Sequence, residues 1–104
     1  MQNATIPDSQ RVYVKVNADF MEDGTIYPRE IFWEDRKVYE IDLVLDIRRI
    51  SPEKAPVQDD RYIVTINHRK KCLYFERDLL MQKNNLGRWF VERKQKQPGN
   101  GRKN

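Results

Sequence analysis

The chain has 104 residues, among them 20 lysines and arginines, 16 aspartates and glutamates, and one histidine. This length suits one small domain and excludes a large two-domain catalytic cleft. No apolar run reaches the roughly 20 residues of a membrane helix, and no basic and apolar leader opens the chain, so we expect a cytoplasmic protein without a membrane partner. The single cysteine, Cys72, excludes an internal disulfide and a multi-thiolate zinc or iron–sulfur site.

The net charge of +4 comes from the last residues of the chain. Residues 93–104 contain five bases and no acid, which leaves 15 bases against 16 acids in residues 1–92, a sum of −1. Residues 94–104 have no aliphatic or aromatic side chain to bury, so we predict a disordered basic tail there. We also expect a flexible N-terminus over 1–9 and a single β domain over 10–93. The tail is either solvated or an arm that contacts phosphates.

Strict alternation of apolar and polar residues marks the first predicted strand, over 10–20. Val12, Val14 and Val16 alternate with polar residues, which predicts a strand with one buried face. A turn follows at 22–24, and residues 25–33 form a second strand that Pro28 confines to an edge or a strand start. We expect Ile31 and Trp33 to face inward.

The third predicted strand, over 38–50, is long. A polar break at 34–37 precedes it and predicts a hairpin, although the break contains no glycine. The strand is long enough to bend and pair with two neighbours, as barrel-closing strands do. Pro56 interrupts any helix that starts near residue 51, so 51–60 is predicted as a loop. One face of the third strand is expected to be apolar, and its members are Tyr39, Ile41, Leu43, Leu45 and Ile47.

Three further strands are predicted, over 61–67, 71–77 and 87–93, with a turn at 68–70. Five or six strands in meander order, without a helix of about 10 residues, predict an all-β fold. The architecture is a small antiparallel five- or six-stranded barrel or a curved meander sheet. The predicted core consists of Val12, Val14, Val16, Ile31, Trp33, Ile41, Tyr62, Val64, Trp89 and Val91.

A set of residues spread over most of the chain resembles a family of small uncharacterised bacterial β-proteins. The resemblance covers residues 11–93 and lies in Pro28, Ile31 and Trp33, in 39–48, in Arg61-Tyr62 and in 87–91. The family is associated with clostridial and actinobacterial genomes and with genes for translesion DNA polymerases. The resemblance implies a β fold and a role in DNA metabolism, but no functional residues. This chain has Asp35-Arg36 where the family usually has an Asp-Gly turn.

The histidine and the cysteine do not point to catalysis. His68 lies in a predicted turn next to basic residues, without a nucleophile beside it, so we interpret it as a solvated turn residue. Cys72 precedes the apolar residues 73–75, and we expect it in the core.

Acidic residues supply the best case for an enzyme. Glu92 and Lys94 have the acid-x-Lys spacing of metal-dependent nucleases, with Asp78 as a second candidate ligand. This spacing is common by chance in a chain with 35% charged residues. We therefore predict no enzyme, no metal site and no cofactor, with a Mg²⁺-dependent nuclease as the unfavoured alternative. Three other acids are expected on one solvated strand face, namely Glu40, Asp42 and Asp46.

Basic residues near the ends of strands suggest contact with DNA or RNA. Small barrels bind single strands by stacking bases on aromatic rings while lysines and arginines follow the phosphates. Tyr13 is the candidate stacking residue, because it lies on the polar face of the first strand. We predict a small non-enzymatic interaction module, accessory to DNA metabolism through weak nucleic-acid contact. The alternative is a protein-binding adaptor whose exposed edge near Tyr27 and Pro28 accepts another strand. The candidate nucleic-acid-binding residues are Tyr13, Lys15, Arg48, Arg49, Arg61, Arg69, Lys70, Lys71, Lys94 and Lys96.

Overall fold

A computed structural model describes residues 11–50, 57–79 and 85–93, without the side chain of Val57. The segments predicted as a flexible N-terminus and a disordered tail, and most of the predicted 51–60 loop, lie outside these ranges. The described chain forms seven antiparallel strands, which are β1 (Arg11–Phe20), β2 (Ile26–Phe32), β3 (Val38–Glu40), β4 (Leu43–Ile50), β5 (Val57–Ile66), β6 (Arg69–Asp78) and β7 (Gly87–Glu92).

The strands build one curled half-barrel sheet in the order β3-β2-β1-β7-β6-β5-β4. This confirms the predicted all-β fold, and seven strands are close to the five or six expected. The additional strand arises because the predicted third strand is divided into β3 and β4.

Two bends produce the curl. The first half of β1, Arg11–Val14, pairs with β7, whereas its second half pairs with β2. Between β3 and β4, the Ile41 amide donates to the Arg29 carbonyl at 2.9 Å and the Asp42 amide donates to the Thr65 carbonyl at 2.8 Å. Adjacent residues thus bind β2 and β5, so the segment predicted to contact two neighbours does so at this point.

The inner face of the half-barrel holds the main core. Val64 and Leu73 are fully buried there, and Tyr62 donates from its hydroxyl to the Ile26 carbonyl at 2.8 Å. This hydrogen bond links β5 to β2 across the interior. Most residues predicted to face inward pack in this cluster, namely Val14, Val16, Ile31, Trp33, Ile41, Tyr62, Val64, Trp89 and Val91.

A second packed layer covers the outer face of β1, β7 and β6. Its centre is Phe90, which is fully buried although it alternates with the inward-facing Trp89 and Val91. The Tyr74 ring stacks on Phe90 at 4.9 Å, and Tyr13 meets it edge-on at 5.8 Å. The Arg11 guanidinium lies 4.4 Å from the ring centroid. β7 is therefore covered on both faces.

The structure corrects the expected faces of the third predicted strand. A β-bulge between Val44 and Asp46 reverses which side chains face inward. Leu43, Leu45 and Ile47 were predicted to share one apolar face and are 61%, 46% and 37% exposed. The extra residue at the bulge therefore places Leu43 and Ile47 on opposite faces of the sheet.

Two further expectations were wrong. The predicted loop over 51–60 ends earlier, because β5 begins at Val57 and pairs with β6 along its whole length. Asp59 and Asp60 fell within the predicted loop, but both lie in β5 and are buried beside arginines. Cys72 is exposed rather than in the core, because Leu73 and Phe75 take the inward positions of β6.

Candidate functional site

A cavity of about 970 Å³ opens at the end of the half-barrel where the β5–β6 turn lies. Its floor is made of core residues from several strands. Polar and basic side chains of the turn and of β6 border it, together with Glu92 at the end of β7. The floor consists of Ile31, Trp33, Tyr39, Val64, Leu73 and Val91.

The β5–β6 turn holds the basic residues at the rim. Asn67 and His68 have φ values of 53° and 68°, as a two-residue turn that follows the twist of its strands requires. The Asp42 carboxylate accepts hydrogen bonds from the His68 amide at 3.0 Å and from the Thr65 hydroxyl at 3.4 Å. His68 is exposed in this turn, as predicted. The fixed turn places Arg69 and the two following lysines beside the cavity.

Arg69, Lys70 and Lys71 carry charge that nearby acids do not neutralise. All three are exposed, and in residues 11–50, 57–79 and 85–93 no acid forms an ion pair with them. Glu92, which also lines the cavity, accepts a hydrogen bond from the Tyr74 hydroxyl at 3.0 Å. The rim therefore combines an excess of positive charge with an apolar floor.

The other predicted basic residues lie away from this rim, and several have acidic partners. Arg48 is paired with Asp46 at 2.9 Å, and Arg49 lies 3.7 Å from Asp60. Lys15 Nζ lies 5.0 Å from the centroid of the Phe32 ring, and Arg61 is half-buried on β5. Lys94 and Lys96 are outside the described residues. Among the predicted basic residues that the structure describes, only residues 69–71 line the cavity.

Tyr13 belongs to the packed outer layer. Its hydroxyl donates to Glu76 at 2.8 Å, and the Arg88 guanidinium lies 3.9 Å from its ring centroid. Burial and the hydrogen bond to Glu76 raise the pKa of the Tyr13 phenol. One face of the ring is therefore covered by Arg88, and 41% of the residue remains exposed.

Arginines and acidic residues next to Tyr13 alternate across the outer face of the sheet. Arg11 is 3.2 Å from Asp59 and 3.5 Å from Glu76, and Arg88 is 3.3 Å from Glu76. Burial raises the pKa of the Asp59 carboxyl, although the charge of Arg11 acts in the opposite direction. The opposite charges of these groups compensate one another, so we interpret the ion pairs of the outer face as structural.

The acids considered for metal chemistry are far apart. Asp78 lies next to the start of β7 and Glu92 at its end, a separation of about 20 Å at the usual rise of a strand. Glu40 is opposite Glu30 in the sheet, and Asp42 is engaged by the β5–β6 turn. Within the part of the chain that the structure describes, no cluster of three His, Cys, Asp or Glu residues could hold a metal ion.

The aromatic part of the cavity floor was not identified as a functional feature from the sequence. Trp33 follows the last residue of β2 and Tyr39 lies in the short strand β3, and both side chains are half-buried. Alternation predicted that Trp33 faces inward, which is correct. It did not reveal that the ring also lines a cavity.

Two smaller cavities differ from this one in charge. One of about 570 Å³ lies where β1 departs from β7, and its charged lining residues are Arg77 and Asp78. The other, of about 480 Å³, contains Arg49 and Arg77. Asp60 pairs with both arginines, at 3.7 Å and 2.8 Å. Of these three cavities, the one beside the β5–β6 turn is therefore the one whose cations have no acidic partner among the described residues.

Comparisons with protein families, with curated proteins and with solved structures give no match. In the described ranges, no helix is long and apolar enough to cross a membrane.

Proposed function

We propose that this chain is a small non-enzymatic binding module that contacts nucleic acid at the rim of the large cavity. The observation that carries the proposal is the group of three cations without acidic partners, Arg69, Lys70 and Lys71, beside a floor that contains Trp33 and Tyr39. Phosphates bind lysine and arginine with release of counterions, and unstacked bases pack on aromatic rings.

The size of the cavity supports this assignment. Its volume of about 970 Å³ lies within the roughly 300–1,000 Å³ of typical ligand sites. A base that leaves a single strand can enter such a space, whereas the bases of an intact duplex stay stacked inside the helix. The rim thus favours a single-stranded segment of DNA or RNA.

Additional positive charge follows β7 in the sequence. Glu92 lines the cavity, and the next residue, Arg93, pairs with Glu34 at 2.7 Å. Lys94 and Lys96 follow directly in the sequence. Basic residues near the rim increase the number of phosphates neutralised and hence the dependence of binding on salt.

The resemblance to a family associated with translesion polymerase genes favours DNA over RNA as the biological ligand. Residues 1–92 sum to −1 in charge, so we expect binding by the isolated protein to be weak, with dissociation constants of about 1 µM or higher. A protein partner in the same DNA transaction would then supply specificity.

Fluorescence anisotropy with a labelled oligothymidine, titrated at about 50 to 200 mM salt, tests this proposal. The double variant Lys70→Ala/Lys71→Ala should weaken binding and lower the slope of log K against log salt by about 1.4, since each single-strand contact contributes about 0.7. The matched control is Arg48→Ala/Arg49→Ala, which removes the same charge from β4, where both arginines face acids.

Equal losses from the two double variants would show that binding follows net charge alone and would refute the site. Absence of binding at low salt, with a host protein recovered instead by pull-down, would favour the adaptor alternative. With Mg²⁺ or Mn²⁺ present the oligonucleotide should stay intact, and cleavage that Glu92→Ala abolishes would contradict the non-enzymatic assignment.

A further inference from the structure

β4 is the last strand of the sheet, and its outer edge has no strand partner among the described residues. It pairs with β5 over Leu43–Ile50, and no other described strand is hydrogen-bonded to it. An edge of this kind presents backbone N–H and C=O groups that can bind a further strand.

Large apolar side chains are exposed along the same strand. Leu43 and Leu45 are 61% and 46% exposed, and Ile47 and Ile50 are each 37% exposed. These are half of the eight residues of β4. Exposed apolar side chains beside an open backbone edge are typical of a surface that pairs with protein.

We propose that β4 pairs antiparallel with β4 of a second copy of this chain, about a two-fold axis at Ile47. A two-fold axis that relates antiparallel edge strands stands perpendicular to the sheet, so the inner faces of both copies stay on one side. Side chains directly opposite each other must then point to the same face of the sheet. The axis must therefore lie level with one residue of β4 and not midway between two consecutive residues.

The charges of β4 select the position of the axis. An axis at Asp46 would place two aspartates opposite each other, and an axis at Arg48 or Arg49 would place two arginines opposite each other. With the axis at Ile47, the two isoleucines face each other and Asp46 of each copy faces Arg48 of the other. Like charges directly opposite are destabilising and unlike charges stabilising, so one register is favoured.

The monomer already holds these two side chains near the required positions. The Asp46 carboxylate lies 2.9 Å from Arg48 Nε, with side-chain exposures of 41% and 68%. Each group therefore remains accessible from the open edge. Opposite residues in an antiparallel pair have Cβ atoms about 5 Å apart, which is within reach of an aspartate and an arginine.

The bulge keeps this interface small. Regular strand geometry extends only from Asp46 to Ile50, because the bulge between Val44 and Asp46 interrupts it. A bulge and charged residues are also features that limit indiscriminate pairing of an edge. The dimer should therefore be reversible and concentration-dependent.

Sedimentation velocity of the full chain, at about 5 to 200 µM, measures the association. Asp46→Arg and Arg48→Asp should each place like charges opposite each other at two positions and weaken the dimer by about tenfold or more. The double variant Asp46→Arg/Arg48→Asp should restore it. The matched control is Asp19→Arg, in the exposed pair with Arg29 on β1 and β2, which should leave the dimer unchanged.

Disulfide trapping checks the register independently. In a Cys72→Ser background, Ile47→Cys should give a covalent dimer on mild oxidation, because residue 47 faces its own copy. Arg49→Cys should not, because residue 49 faces residue 45 of the second copy. A monomer at all concentrations, a dimer insensitive to both charge reversals, or failure of the double variant to restore association would overturn the proposal. Circular dichroism establishes that each variant is folded.

Discussion

Replacing Phe90 by alanine should remove a large share of the stability of this domain. Phe90 is fully buried, stacks on Tyr74 at 4.9 Å and contacts Tyr13 at 5.8 Å between ring centroids. The Arg11 guanidinium covers the Phe90 ring, 4.4 Å from its centroid. Loss of the ring would leave a cavity that these rigid neighbours can fill only in part.

The magnitude follows from burial and from the cavity. Full burial of a phenylalanine contributes about 1.5–3 kcal/mol relative to exposure, and the unfilled cavity raises the cost of truncation to alanine to about 3–5 kcal/mol. The free energy of unfolding of a small domain is about 5–15 kcal/mol in total. Phe90→Ala should therefore be among the most destabilising single changes in this chain.

Urea denaturation followed by tryptophan fluorescence measures the effect. The matched control is Phe32→Ala, also on the outer face, where the ring is half-buried beside Lys15 at 5.0 Å. Phe32→Ala should lower the free energy of unfolding by about 1 kcal/mol. Phe90→Leu keeps most of the volume and stays measurable if the alanine variant does not fold. A loss below about 1 kcal/mol for Phe90→Ala would refute the view that the outer face is a packed layer.

Two other changes test close contacts and pH dependence. A Cβ at Gly87 would lie 2.5 Å from the Glu76 carbonyl oxygen, so Gly87→Ala should lower stability by about 1–3 kcal/mol in thermal unfolding, while Leu86→Ala, at an exposed site, should have little effect. Burial and the charge of Asp60 raise the pKa of Tyr62 from 10.0 to about 12. The folded state favours the neutral phenol, so its contribution should be complete below pH 10 and decline towards pH 12. Tyr62→Phe should lack this decline, and an identical alkaline profile for both proteins would contradict the assignment.

Most strands of the fold follow from local alternation, because period-two patterns depend only on nearby residues. This is clearest for β1, where Val12, Val14 and Val16 alternate with polar residues, whereas β7 was recognised as an apolar run. The bulge in β4 could not be predicted in this way. Nothing local marks Leu45 as the extra residue, and its effect reverses the faces of the residues on either side of it.

The candidate site was predictable only in part, since charge compensation depends on which strands become neighbours. Residues 69–71 form a cluster in the sequence itself and were found there. Arg48 has Asp46 two residues away on the same strand, which was visible in the sequence. The pairing of Arg49 with Asp60, and the cover of Arg88 over Tyr13, depend on cross-strand register and were not visible.

The pairing of the first strand with the last has a practical consequence for labelling the protein. Arg11 is opposite Glu92, so both ends of the described chain leave the fold beside the cavity. An affinity tag or a surface linker joined directly at residue 11 or 93 would sit beside the basic rim and compete there with a ligand. The exposed β1–β2 turn around Gly24 lies about 30 Å away along β1, with open space around its Cα. A dye or an immobilisation handle placed there would leave the cavity unobstructed.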